Sequence, residues 1–129
     1  MNILLDTHIF LWFIIDDVRL PAAFAGALRD PANKVFVSVV ALWEAILKHQ
    51  IGKLPFPESP DILLPRLRVI HGFHDLPLDE SSVKRLAFLP SIHRDPFDRM
   101  MICQALEHGM HFATVDDAIK RYPVQLLAE

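Results

Sequence analysis

Four carboxylates, Asp6, Glu44, Asp98 and Asp116, come from widely separated segments of this 129-residue chain. Each stands where its element is expected to approach the same edge of a sheet. Gathered there without a counter-ion they would repel, and like charges in one site raise a pKa or require a cation. A donor set made only of oxygen favours hard ions, Mg²⁺ or Mn²⁺, over zinc. Two such ions roughly 4 Å apart activate water and stabilise the leaving oxygen of a phosphodiester. Each acid also has a local reading. Asp6 and Asp116 suit helix N-caps, and Glu44 suits the margin of an amphipathic helix. The stretch HRDPFDRMMICQALEHG, residues 93–109, holds two acids three apart. Asp95 before Pro96 is a good N-cap, with Gly109 closing the helix. Asp98 is less well explained, because a capping box prefers Glu or Gln at that position.

The elements that must position these acids alternate. Ile3-Leu4-Leu5 reads as a strand ending at Asp6-Thr7, followed by a helix from His8 to about Ile15 and another over Pro21–Arg29. Lys34–Ser38 is β-branched and strand-like, and Ser38 caps a helix running to about Gln50. On that helix Val39, Leu42, Trp43, Ile46 and Leu47 form one apolar arc, with Glu44 at its margin. Helices are expected over Asp61–His71, Glu80–Leu89 and 95–108. Short strands are expected at Phe73–Leu78, His111–Thr114 and Val124–Leu127, with a helical turn at Asp116–Arg121. Strands alternating with helices and no hairpin signal predict a parallel sheet covered on both faces. In such sheets ligands bind outside the carboxyl ends of the strands. One domain over 1–129 is expected, without repeats or low-complexity segments.

Composition narrows the function classes. A net charge of −3 and a pI near 6.1 argue against nucleic-acid binding by a basic surface alone. Acids concentrated at a metal site would weaken that objection. The single cysteine, Cys103, excludes an internal disulfide and reads as a core thiol. The apolar run Ile9–Ile15 is seven residues long and Asp6 interrupts the segment before it, which excludes a spanning helix and argues against a signal peptide. A soluble, cytoplasmic protein is expected. There is no P-loop and no Gly-rich dinucleotide fingerprint, so a nucleoside triphosphate or NAD role has no support.

Leu4-Leu5-Asp6-Thr7, Ser38-Val39-Val40-Ala41-Leu42-Trp43-Glu44, His93-Arg94-Asp95-Pro96-Phe97-Asp98-Arg99 and Ala113-Thr114-Val115-Asp116, in that order, resemble the PIN-domain family. They resemble most its VapC-type toxins of bacterial type II toxin–antitoxin systems. Lys48, Gly52-Lys53-Leu54 and Tyr122-Pro123-Val124 also fit that subgroup. The resemblance implies a Rossmann-like α/β/α sandwich with a mostly parallel, five-stranded sheet. It also implies a Mg²⁺- or Mn²⁺-dependent endoribonuclease that hydrolyses RNA through metal-activated water. Its partners would be an RNA substrate, a cognate antitoxin and a second copy of the chain. By motif position Asp6, Glu44, Asp98 and Asp116 match the family's acidic metal-binding quartet, so Asp98 ligates while Asp95 caps. Asp6, Asp98 and Glu44 would anchor the principal ion, and Asp116 would hold a second ion or orient the attacking water. Thr7, Ser38 and Thr114, beside these acids, would position phosphate or water. Arg99 would pair with Asp98 or contact phosphate, and Asp117 would be a supporting acid.

Other features divide similarly. His71-x-x-His74 and His108-x-x-His111 lack a cysteine partner and each includes a glycine, which argues against zinc. His93, just before the helix that carries Asp98, is expected to pack in a turn or to lie near substrate. Lys48, His49, Lys53, Arg66, Arg68, His71, Arg94 and Arg99 would form a rim for an RNA backbone. Ile9–Ile15 would be core, or a surface for a second copy or an antitoxin. The competing readings are a phosphatase or DNA nuclease using the same acids, and a noncatalytic protein-binding α/β module in which the acids are caps. His8, two residues after Asp6, stands where a haloacid-dehalogenase-like phosphatase needs a second aspartate.

Overall fold

The structure, a computed structural model, describes residues 1–129. Its centre is β1 (Asn2–Leu5), whose Ile3, Leu4 and Leu5 are fully buried. A strand covered on both faces carries consecutive apolar residues instead of an alternation. The helix α1 (Thr7–Ile14) and then α2 (Ala22–Arg29) lead to β2 (Lys34–Ser38). From there α3 (Val39–Gln50) and α4 (Pro60–Ile70) lead to β3 (His74–Leu76). A short α5 (Glu80–Lys84) and a 3₁₀ turn at Arg85–Ala87 precede α6 (Pro96–His108), which returns the chain to β4 (His111–Ala113).

The four strands are parallel and lie in the order β3-β2-β1-β4. Ile3 pairs with Val35 on one side and with His111 on the other. The chain therefore winds outward from β1 to β3 and then crosses back to β4. Right-handed crossovers place α1–α4 on one face of the sheet and α5–α6 on the other. The winding direction reverses at β1, so the crevice beyond the ends of β1 and β4 is the switch point where such sheets bind ligands.

The fifth strand of the sequence reading is reduced to one parallel bridge, Phe112 with Leu126. Phe112 N–H donates to Gln125 O at 2.8 Å and Leu127 N–H to Phe112 O at 2.9 Å. Pro123 has no N–H to extend this ladder. The expected helix over Glu80–Leu89 keeps only five α-helical residues before tightening.

The caps follow local chemistry. Ser38 Oγ accepts from Val40 N–H at 3.0 Å, and Asp95 Oδ1 accepts from Asp98 N–H at 2.9 Å. Gly109 ends α6 at a φ of 62°, a left-handed conformation that glycine adopts without a Cβ penalty. The buried face of α3 differs from the expected one. Val40, Ala41, Glu44 and Ala45 face inward, whereas Val39, Trp43 and Leu47 are exposed. Small side chains let α3 approach its neighbours closely, and the bulky apolar residues are left outside. The Ile9–Ile15 run is mostly core: Ile9, Phe10, Leu11 and Phe13 are buried, and only Ile15 is well exposed.

Candidate metal centre

Asp6 leaves β1 at the switch point, where its backbone N–H donates to Ala113 O on β4 at 3.0 Å. This bond holds the ends of the two central strands together beneath the acid. The Asp6 carboxylate is 5 % exposed. Its Oδ2 accepts from the Thr114 hydroxyl at 2.8 Å, while Oδ1 is buried with no hydrogen-bond partner. Burial raises the Asp6 pKa, and repulsion from Glu44 and Asp116 adds to it against the Thr114 hydrogen bond and the attraction of His8.

Glu44 reaches the same place from α3 and is 1 % exposed. Its Oε1 accepts from Thr7 Oγ1 at 2.6 Å, and its Oε2 is paired with the Lys48 ammonium one turn later. Asp98 enters from the opposite layer, on the first turn of α6. One of its oxygens, Oδ2, lies 2.8 Å from His93 Nε2. Burial, then repulsion from Asp6, pushes the Asp98 pKa up to about 7; the His93 hydrogen bond opposes this, and Asp95 and Glu44 reinforce it. Asp116 follows β4. Its Oδ1 accepts from the N–H groups of Ala118 and Ile119 at 2.8 and 3.3 Å, and its Oδ2 lies 3.8 Å from His93 Nε2.

The four expected acids thus line one cleft of about 410 Å³, together with Asp95, His8, Trp12, Arg19, Lys48, His93 and Val115. Two sets of ligand atoms lie within 4.8 Å of one another: Glu44, Asp95 and Asp98, and His93, Asp98 and Asp116. Asp98 belongs to both. A buried carboxylate oxygen without a hydrogen-bond partner, on an acid that shares a cleft with three others, suits a cation ligand. The donor set fits a hard divalent cation. With one in place the site could polarise a phosphoryl oxygen and activate water.

The neighbouring hydroxyls separate. Thr7 and Thr114 are buried and hold Glu44 and Asp6. Ser38 lies away from the cleft, donating to Gln104 Oε1 at 2.6 Å. Ser38 and Arg68 border a separate, mainly apolar cavity of about 170 Å³. Asp117 is outside the cleft, with its side chain almost fully exposed and 3.9 Å from Lys120. Arg99 points away from Asp98. Its guanidinium donates to Pro90 O at 2.9 Å and to Tyr122 Oη at 3.1 Å. Tyr122 Oη in turn accepts from the N–H groups of Ile92 and His93 at 3.1 and 2.8 Å. Arg99 and Tyr122 therefore fix the loop that aims His93 at the acids.

Of the expected basic rim only Lys48 lines the cleft; Arg66 pairs with Glu58 and His71 packs edge-on against Phe13. His8 and Arg19 line it in addition. Sequence reasoning favours turn packing for His93 over a place near substrate, and gives Asp95 to capping alone. A histidine just before a proline-started helix, five residues from Asp98, was the available signal for His93. For Lys48 the signal was its spacing four residues after Glu44.

No curated protein matches the chain by sequence. Among solved structures, VapBC2 from Rickettsia felis, bound to a DNA fragment from its promoter, is similar with a TM-score of 0.73 and 17 % identity over 99 % of this chain and 98 % of that one. DNA-bound VapBC from Salmonella typhimurium gives a TM-score of 0.66 and 15 % identity over 99 % and 97 %. A toxin–antitoxin complex from Klebsiella pneumoniae gives 0.62 and 16 % over 96 % and 95 %. These likenesses establish a shared fold along the whole chain. The family described as PIN domain matches residues 3–125, and the chain belongs to the PIN-domain family.

Proposed function

We propose that this chain is a divalent-metal-dependent endoribonuclease, the toxin of a type II toxin–antitoxin system. The observation that carries the proposal is the unpartnered, buried Oδ1 of Asp6, an acid that lines one cleft with Asp98, Glu44 and Asp116. The acidic quartet would hold Mg²⁺ or Mn²⁺, which supplies charge neutralisation at a phosphodiester and an activated water. The chain's own groups prepare that centre. Thr114 and Thr7 fix the carboxylates of Asp6 and Glu44, and Arg99 with Tyr122 holds the loop carrying His93. RNA is the proposed substrate, and Lys48 and Arg19 at the cleft are the cations that would meet its backbone, with His8 beside them.

Membership of the PIN-domain family and the toxin–antitoxin complexes among similar structures support a cognate antitoxin as partner. The exposed Val39, Trp43 and Leu47 on α3 support a second copy of the chain, because apolar residues at this spacing form a continuous face. No helix is long and apolar enough to cross a membrane, and a cytoplasmic location is part of the proposal.

The test is cleavage of a labelled RNA pool by the purified chain with Mg²⁺ or Mn²⁺, beside EDTA and the Asp98→Asn variant. Cutting that both controls abolish is the expected result. Equal cutting by the variant, or no cutting together with no calorimetric metal binding, overturns the proposal.

A further inference from the structure

Resting on the metal-centre reading above, we propose that Lys48 is the built-in second cation of the cleft, so that the acidic quartet takes one divalent ion, seated toward Asp98 and Asp116, instead of a pair. Both Glu44 oxygens are already engaged: Thr7 donates to Oε1 and the Lys48 ammonium is paired with Oε2. An ion placed on Oε2 would stand against that ammonium and be repelled by it. The opposite holds across the cleft. Asp6 Oδ1 is buried and unpartnered, Asp98 hydrogen-bonds through Oδ2 alone, and Asp116 Oδ2 has only His93 nearby, at 3.8 Å.

Lys48 is built into this corner. It leaves α3 one turn after Glu44, its side chain is 27 % exposed, and Glu44 beneath it is nearly sealed from water. The acids that attract it are Glu44, Asp95 and Asp98. Those three form one of the two groups of converging ligand atoms. Their charge is thus partly compensated before any metal arrives. The group made by His93, Asp98 and Asp116 has no lysine or arginine paired to it. An ion is directed toward that side by repulsion from the ammonium on the other.

The chemistry suits the role. A lysine ammonium is a compact point charge with three donors and no acceptor. Beside a phosphodiester it would neutralise an oxygen that a second metal ion otherwise bears. This makes Lys48 a catalytic residue of the proposed reaction and not a member of a diffuse basic rim.

The test counts Mn²⁺ on the metal-stripped full chain, by equilibrium dialysis and by electron paramagnetic resonance. Wild type is expected to saturate at one ion per chain, with the hyperfine pattern of an isolated ion. Lys48→Met, which frees Glu44, is expected to take two ions and show an exchange-coupled pair; Lys48→Arg, which keeps the charge, stays at one. Two ions on wild type, or one on a folded Lys48→Met, overturns the inference while leaving the metal centre intact. Should Lys48→Met fail to fold, the wild-type count and its spectrum decide. No bound Mn²⁺ on wild type would instead overturn the metal-centre reading itself.

Discussion

Replacing Asp98 with Asn should stabilise the metal-free protein at alkaline pH, the reverse of what most substitutions at a buried polar residue do. Asp98 is 9 % exposed, and its pKa is held up at about 7 against an ordinary value of 3.8. The folded pKa is raised, so the unfolded chain gives up this proton more readily than the folded one does. The stability contribution of the protonated carboxyl is complete below pH 3.8 and is lost as pH rises through about 7. A shift of about 3 units corresponds to roughly 4 kcal/mol as an upper limit, and solvent relaxation in the open cleft reduces it to about 2 kcal/mol. Asparagine carries no charge at any of these pH values, and its amide oxygen can still accept from His93. For a domain of this size about 2 kcal/mol moves Tm by roughly 6–8 °C. Calorimetry in EDTA should therefore show Asp98→Asn melting several degrees above wild type at pH 8. The gap should shrink by about half or more at pH 5. In saturating Mn²⁺ the order should invert, because the ion stabilises only the chain that binds it. An Asp98→Asn protein that melts below wild type in EDTA at pH 8, or by the same margin at both pH values, would refute the account of a carboxyl strained by burial and by Asp6.

Thr114→Val removes the hydroxyl that donates to Asp6 Oδ2; metal affinity by calorimetry should fall about tenfold, because partners that orient a ligand carry effects of that order. Ser38→Ala removes the cap of α3 and the donor to Gln104; urea unfolding should show a loss of about 1–2 kcal/mol with Mn²⁺ affinity unchanged, since Ser38 does not reach the cleft. Trp43→Asp charges the exposed face of α3; sedimentation should show a dimeric wild type and a folded monomeric variant, and an unaltered dimer would move the copy–copy contact elsewhere.

Local patterns along the chain were enough to specify most of the scaffold and which acids meet in the cleft. Strand residues ending in an acid, caps such as Ser38 and Asp95, and the left-handed stop at Gly109 are local signals, and each was legible because backbone hydrogen-bonding needs act within a few residues. The four acids were legible together because a parallel sheet brings the ends of distant strands to one edge. Reach and competition for space between packed elements settled the rest. The α3 helix carries apolar residues on both sides, so hydrophobic pattern favoured the large ones, Trp43 and Leu47. Close packing instead selected Val40, Ala41 and Ala45 for the interior. Arg99 looked like a partner of Asp98, its neighbour, yet its length takes it back to Pro90 and Tyr122. His93 looked like turn packing until that anchored loop aimed its ring at two acids. The commitment of both Glu44 oxygens, to a threonine 37 residues earlier and a lysine one turn later, is a property of side chains meeting across elements. No spacing along the chain encodes which oxygen is left without a partner, and here that oxygen belongs to Asp6.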